Sequence, residues 1–240
     1  MQTIEIDRID RADTRFCVSF PLEDPVLLRS ITSFGIRMPL LVLDTRPYVV
    51  VTGFKRLEAA YRLGLRSVAC SIRNMNEKDA LLAALNDNIT RPLNIVEGAS
   101  ALDKMSRLGF STEEIYTMMK LLGYEPHEKL LGNLLEIART DSPTKDFLVR
   151  HRANMTHIEL LLGFESTERS AIIAFLTNMH VTSSQLREIL QLFLLVKLKE
   201  GKISFETPAS PLNLIPQRVR RKSAAPAALR DQNFSNVLSS

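Results

Sequence analysis

The sequence predicts an α+β protein, with a small α/β domain at residues 1–93, an all-helical domain at 94–205 and a tail at 206–240. Three observations predict it. Short β-branched runs alternate with helical periodicities up to about Leu93. Strand signals nearly vanish from Asn94 onward, and beyond Phe205 the composition turns to Pro, Ser, Ala and Asn.

Asp24-Pro25 opens a helix that runs to about Phe34 and ends at Gly35. Leu40-Leu41-Val42-Leu43 and Tyr48-Val49-Val50-Val51 flank the turn-like Asp44-Thr45-Arg46-Pro47 and read as a hairpin or closely connected strands. Gly53 starts a turn into a helix from about Lys55 to Leu63, stopped by Gly64. A strand follows at Ser67 to Ile72, and a helix from near Asn76 carries Leu81, Leu82 and Leu85 at helical spacing. The expected order is β-α-β-β-α-β-α.

Helices are then expected at 95–108, 112–121, 127–138, 143–151, 155–162, 166–178 and 182–199. Their starts carry caps, such as Ser111-Thr112-Glu113-Glu114 and Thr182-Ser183-Ser184-Gln185. Leu190 to Leu198 is strongly apolar, so that helix is expected to be buried or to face a partner, a second copy of the chain being one. The tail is expected to be flexible, its basic cluster Arg218-Val219-Arg220-Arg221-Lys222 solvated, set against nucleic acid or set against a partner's acidic surface.

Composition narrows the function classes. No apolar run approaches the roughly 20 residues that span a bilayer, and Met1-Gln2-Thr3-Ile4-Glu5 lacks the pattern of a secretory signal. Cys17 and Cys70 have no His or Cys nearby at metal-ligand spacing and read as reduced thiols. These features place the chain in the cytoplasm, away from membranes. Residues 1–100 hold 13 Lys/Arg against 12 Asp/Glu and residues 101–205 hold 13 against 13, whereas the tail holds 5 against 2. The folded part is thus balanced, which argues against strong, autonomous phosphate-driven DNA binding.

Several residues have the chemistry of a nucleotide site. Gly53 lets a backbone approach a phosphate, and the helix after it offers unpaired N–H groups at a positive dipole end. Lys55, Arg56 and Arg91 can make charge-assisted bonds to phosphate oxygens. Asp87 and Asn88 are hard oxygen donors suited to Mg²⁺ on a triphosphate. On the residues alone, Gly53 serves equally as a turn, Arg56 as a surface charge and Asp87 as a helix-end carboxylate.

Three spaced elements resemble the ParB amino-terminal domain. Gly35-Ile36-Arg37-Met38-Pro39-Leu40 resembles the family's Gly-Ile/Val-x-Gln-Pro segment, which lines the base in CTP-binding members. Gly53-Phe54-Lys55-Arg56-Leu57-Glu58-Ala59-Ala60 occupies the place of the Gly-Glu-Arg-Arg phosphate box. Asp87-Asn88-Ile89-Thr90-Arg91-Pro92-Leu93-Asn94, with Glu97, resembles Glu-Asn-x-x-Arg-x-x-Leu-Asn-x-x-Glu, which closes the site and helps hold the metal. The resemblance implies CTP and Mg²⁺ as cofactors. It implies Gly35, Met38, Pro39, Gly53, Phe54, Lys55, Arg56 and Arg91 as nucleotide contacts, and Asp87 with Asn88 for the metal and any weak CTPase chemistry. Four positions depart from the pattern: Phe54 for the acidic residue, Lys55 for the first Arg, Met38 for Gln and Asp87 for Glu. Lys loses the planar fork of Arg, Met cannot hydrogen-bond a base, and Asp is one methylene shorter. The same fold family includes sulfiredoxin, but that activity needs a cysteine in the phosphate box, and this box has none.

The helical part extends the resemblance. Phe110-Ser111-Thr112-Glu113-Glu114-Ile115 and Leu121-Leu122-Gly123-Tyr124 resemble the first helix and turn of the ParB helix-turn-helix, about 111–138. The next helix fills the recognition position, where amino-terminal residues meet base edges. His127, Lys129 and Asn133 are the candidates for DNA contact, joined by Arg218, Arg220, Arg221 and Lys222 in the tail. The implied role is a DNA-binding protein of chromosome or plasmid partition, or of related regulation, in which CTP closes a clamp on DNA. A homodimer and a partition ATPase are the implied partners, and the nucleoid or plasmid the implied location. Two competitors are a helix-turn-helix transcriptional regulator whose nucleotide site has degenerated and a ParB-like nuclease. The nuclease is disfavoured because no carboxylate cluster is visible to hold catalytic metals.

Overall fold

The computed structural model describes residues 1–177, 179 and 181–200, so the tail and its basic cluster lie outside the described residues. The chain divides into two compact units, one of residues 1–141 and one beginning at Ser142.

The first unit starts with β1 (Gln2–Glu5), a 3-10 turn (Ile6–Arg8) and β2 (Ile9–Asp10). There follow α1 (Pro25–Phe34), β3 (Leu40–Leu43), β4 (Tyr48–Thr52), α2 (Phe54–Arg62), β5 (Ser67–Arg73) and α3 (Glu77–Ile89). The strands form one sheet in the order β1-β5-β3-β4-β2. The hairpin reading holds: β3 and β4 are antiparallel, with Val42 opposite Val50. β3 runs parallel to β5, and β2 parallel to β4. Every residue of β4 is buried, so it reads as one apolar run and not as an alternating strand. Leu40, Val42, Val50 and Cys70 form the centre of the core, each fully enclosed.

Local chemistry sets the helix starts. Asp24 accepts from the Val26 and Leu27 amides and Pro25 occupies the first turn, which begins α1 where the sequence places it. Asn94 and Glu97 form a reciprocal capping box at α4 (Ile95–Arg107), and Ser111 with Glu114 does the same for α5 (Thr112–Leu121). α6 (Glu128–Ala138) packs along α4, burying Leu134 and Ile137. Between α4 and α6 lies Asp103, 6% exposed, which takes Arg107 Nε at 2.6 Å and Arg139 Nε at 2.9 Å.

The second unit holds α7 (Ser142–Arg150), α8 (Met155–Leu162), α9 (Ser166–Thr177) and α10 (Ser183–Glu200). α7 packs on α9 and α8 on α10. His157, 1% exposed, joins the latter pair. Its Nδ1 accepts from the Asn154 amide at 3.1 Å and its Nε2 lies 2.9 Å from the Ser183 carbonyl. α10 buries Leu186, Ile189, Leu190 and Phe193 but leaves Leu195 and Leu198 exposed. Each of the seven helices expected after Asn94 is present, with ends within a residue or so of expectation.

Candidate functional site

The sheet and α2 bring the three spaced motifs together. The chain leaves β4, turns at Gly53 and enters α2, whose first turn has no side-chain cap. Gly53 sits at φ 99°, in the left-handed region, and a Cβ there would lie 3.0 Å from Leu40 Cγ and 3.3 Å from Arg56 Cζ. Only glycine satisfies both conditions. The first N–H groups of α2 therefore remain available to an anion.

Arg56 is the hub. Its Nη1 donates to the carbonyls of Met38 and Pro39, each at 2.8 Å, and its Nη2 lies 3.7 Å from Asp87 Oδ2. One guanidinium thus touches all three motif segments. Lys55 lies 3.7 Å from Asp24, the cap of α1. Phe54, where the family box carries an acid, packs half-buried against the sheet core. Gly35 ends α1 at φ 69°, and the Met38 side chain after it is 67% exposed, with only its carbonyl engaged.

The third motif forms a tightly bonded knot. Arg91 makes a two-pronged contact to Glu97, with Nη1 to Oε2 at 2.8 Å and Nη2 to Oε1 at 2.6 Å. The other acceptor positions of Glu97 take the amides of Phe20 and Asn94, both at 3.1 Å. Burial pushes the Glu97 carboxyl up, but the bonds from Arg91, Phe20 and Asn94 and the Arg91 charge outweigh it and hold it below its usual value. The same pairing raises Arg91. The Asn88 amide donates to the Ala84 carbonyl at 2.8 Å and accepts from the Ser19 hydroxyl at 3.1 Å. Asp87 keeps its side chain 50% exposed beside Arg56. A cleft of about 370 Å³ opens beside Arg91, lined by Leu93, Gly98, Leu122 and Tyr124 among others. Among the described residues no three His, Cys, Asp or Glu side chains gather as a metal cage.

Sequence reasoning missed the roles of Ser19, Phe20 and Asp24, which come from the loop before α1. Only Asp24 carried a signal, as a cap. The Glu97 role was foreshadowed by its spacing from Asn94.

Helices α5 and α6 are joined through Leu122–His127 and occupy the span expected to form the helix-turn-helix. His127 caps α6, its Nδ1 accepting from the Leu130 amide at 3.1 Å. Lys129 is exposed and Asn133 half-buried, while Glu125, Glu128 and Glu136 are exposed on the same helix and its entry.

An α/β domain with a glycine-led, cation-flanked helix start, followed by a run of helices, describes the class of this protein. Residues 1–89 match the ParB N-terminal domain family, so this part of the chain is ParB-like. It is 28% identical over 168 residues to a probable chromosome-partitioning protein ParB of Vibrio cholerae serotype O1, covering 69% of this chain and 56% of that one. It is 33% identical over 117 residues to a probable plasmid-partitioning protein ParB of Thermus thermophilus, covering 47% of this chain and 39% of that one. The chain therefore spans roughly two fifths to three fifths of the length of these relatives. A solved structure of C-terminally truncated chromosome-partitioning protein ParB from Caulobacter crescentus, complexed with CTP-gamma-S, is 23% identical, with a TM-score of 0.33. That match covers 73% of this chain and 98% of the other.

Proposed function

We propose that the protein is a DNA-binding partition protein whose amino-terminal domain binds a nucleoside triphosphate, CTP by its resemblance. The observation that carries this reading is Arg56, which ties the Met38–Pro39 segment and Asp87 to an uncapped helix start at Gly53. The residues fit the group. A triphosphate with Mg²⁺ brings dense negative charge on hard oxygens. Gly53 gives its phosphates access to the α2 backbone, and Lys55 and Arg56 offset their charge. Asp87 and the Asn88 Oδ1 offer oxygen to the metal, and Arg91 closes the far side. Loosening Arg91 from Glu97 would free its guanidinium for phosphate, while Glu97 and Asn94 go on holding the Phe20 loop and the start of α4. Residues 1–93 form the nucleotide domain in this reading, and 94–205 the DNA-binding domain. α5–α6 contact the duplex through His127, Lys129 and Asn133, with Arg218, Arg220, Arg221 and Lys222 adding phosphate contacts. A homodimer on the nucleoid or a plasmid, served by a partition ATPase, completes the proposal.

A second reading has one observation in its favour: Arg56 and Arg91 already bond within the protein. It describes a helix-turn-helix regulator whose α/β domain binds nothing. Calorimetric titration of the full chain with CTP, and with ATP as control, in Mg²⁺ separates the two. Arg56→Ala and Lys55→Ala are the variants. CTP-selective binding that both variants weaken supports the first reading. Absence of binding to wild type, with and without duplex DNA, supports the second.

A further inference from the structure

Gly132 is the fifth residue of α6, inside the helix and exposed. A helix-interior glycine is destabilising relative to alanine, so a local reason for it is expected. None exists among the described residues: its φ is not positive, and a Cβ built there meets nothing within 4 Å. The helical Gly98 differs, because a Cβ there would lie 3.1 Å from the Tyr124 hydroxyl. Among the described residues nothing covers the space over Gly132.

The neighbours on that face suggest what fills it. Lys129 precedes Gly132 by one turn, Asn133 follows it and Glu136 lies one turn beyond, whereas Leu134 and Ile137 point into the core against α4. Asn carries a donor and an acceptor side by side, which suits the edge of adenine. His127 uses Nδ1 as an acceptor for the Leu130 amide, so its neutral ring presents Nε2–H as a donor to guanine, thymine or phosphate oxygen. Glu125, Glu128 and Glu136 give this surface little net attraction for phosphates. Affinity at this helix must then come from close fit more than from charge.

We infer that Gly132 is the point of closest approach between α6 and duplex DNA. Its missing side chain lets the helix backbone sit deep enough in the major groove for Lys129 and Asn133 to reach base edges. The inference rests on the DNA-binding reading above.

The test compares wild type with Gly132→Ala in the full chain. The probes are a pool of random duplexes about three helical turns long and the duplex that wild type enriches from it. Fluorescence anisotropy at fixed salt reads affinity, and circular dichroism reads melting. The expected result is a melting temperature raised by a few degrees with binding to the enriched duplex weakened about tenfold or more. Equal affinity in the two proteins overturns the inference while leaving DNA binding intact. A lowered melting temperature overturns it as well, because glycine would then serve the fold. Failure of wild type to enrich or bind any duplex overturns the DNA-binding reading beneath it.

Discussion

Replacing Glu97 by glutamine removes one negative charge from a carboxylate that is 1% exposed and bonded on every side. Each carboxylate oxygen takes one Arg91 nitrogen and one backbone amide, so the amide that replaces it keeps one acceptor oxygen but turns its N–H₂ group toward Arg91 and either the Phe20 or the Asn94 amide. At least one buried contact becomes donor against donor. Breaking a buried ion pair from one side costs roughly 3–5 kcal/mol. The Arg91 side chain is 41% exposed, so water recovers part of its charge and reduces the expected loss to about 2–3 kcal/mol. Urea unfolding followed by circular dichroism reads the loss. Hydrogen exchange at the Phe20 and Asn94 amides assigns it to the first unit. The pH dependence supplies a second reading. The folded carboxyl lies below its unfolded value, so its contribution is full above about pH 4.3 and declines as pH falls through the folded value. The gap between wild type and Glu97→Gln should therefore be wide at neutral pH and shrink under acid. A gap below about 0.5 kcal/mol at neutral pH, or one that does not narrow in acid, refutes the assignment.

Two further outcomes follow from buried groups. Burial pushes the thiols of Cys17 and Cys70 up to about 11, so iodoacetamide at pH 7.5 should label neither until denaturant is added. Rapid native labelling of Cys17 would show that the loop around it opens. His157→Ala should destabilise the second unit by about 3 kcal/mol, since it leaves a void and strands the Asn154 amide and Ser183 carbonyl. Unfolding curves within about 1 kcal/mol of wild type would deny that histidine its structural role.

Much of the architecture was legible because its signals are local. Asp24-Pro25 and the Asn94–Glu97 and Ser111–Glu114 boxes mark helix starts through contacts spanning three residues or fewer. β1 and β2 were not located, because β2 is two residues long and pairs in parallel with a strand nearly forty residues away, leaving no periodicity to find. At the candidate site, glycine and charge placement exposed Gly53, Lys55, Arg56 and Arg91. Their partners stayed hidden. Arg56 bonds to backbone carbonyls, which every residue possesses, so no residue type advertises the contact. The Ser19–Phe20 loop meets Asn88 and Glu97 across about 70 or more positions, a pairing that a single sequence cannot encode visibly.

The path of the first strands constrains the sheet itself. β1 and β2 lie at opposite ends of the strand order, yet only Ile6–Arg8 separates them. Four interstrand gaps in a flat sheet would place those ends about 19 Å apart. Four peptide units from Glu5 to Ile9 reach at most about 14 Å. The sheet must therefore curl until its rims approach each other, and one short stretch of chain works as a clasp across the opening. Both rims are covered by one stretch of ten residues, so removing residues 1–10 would bare the backbones of β5 and β4 at once.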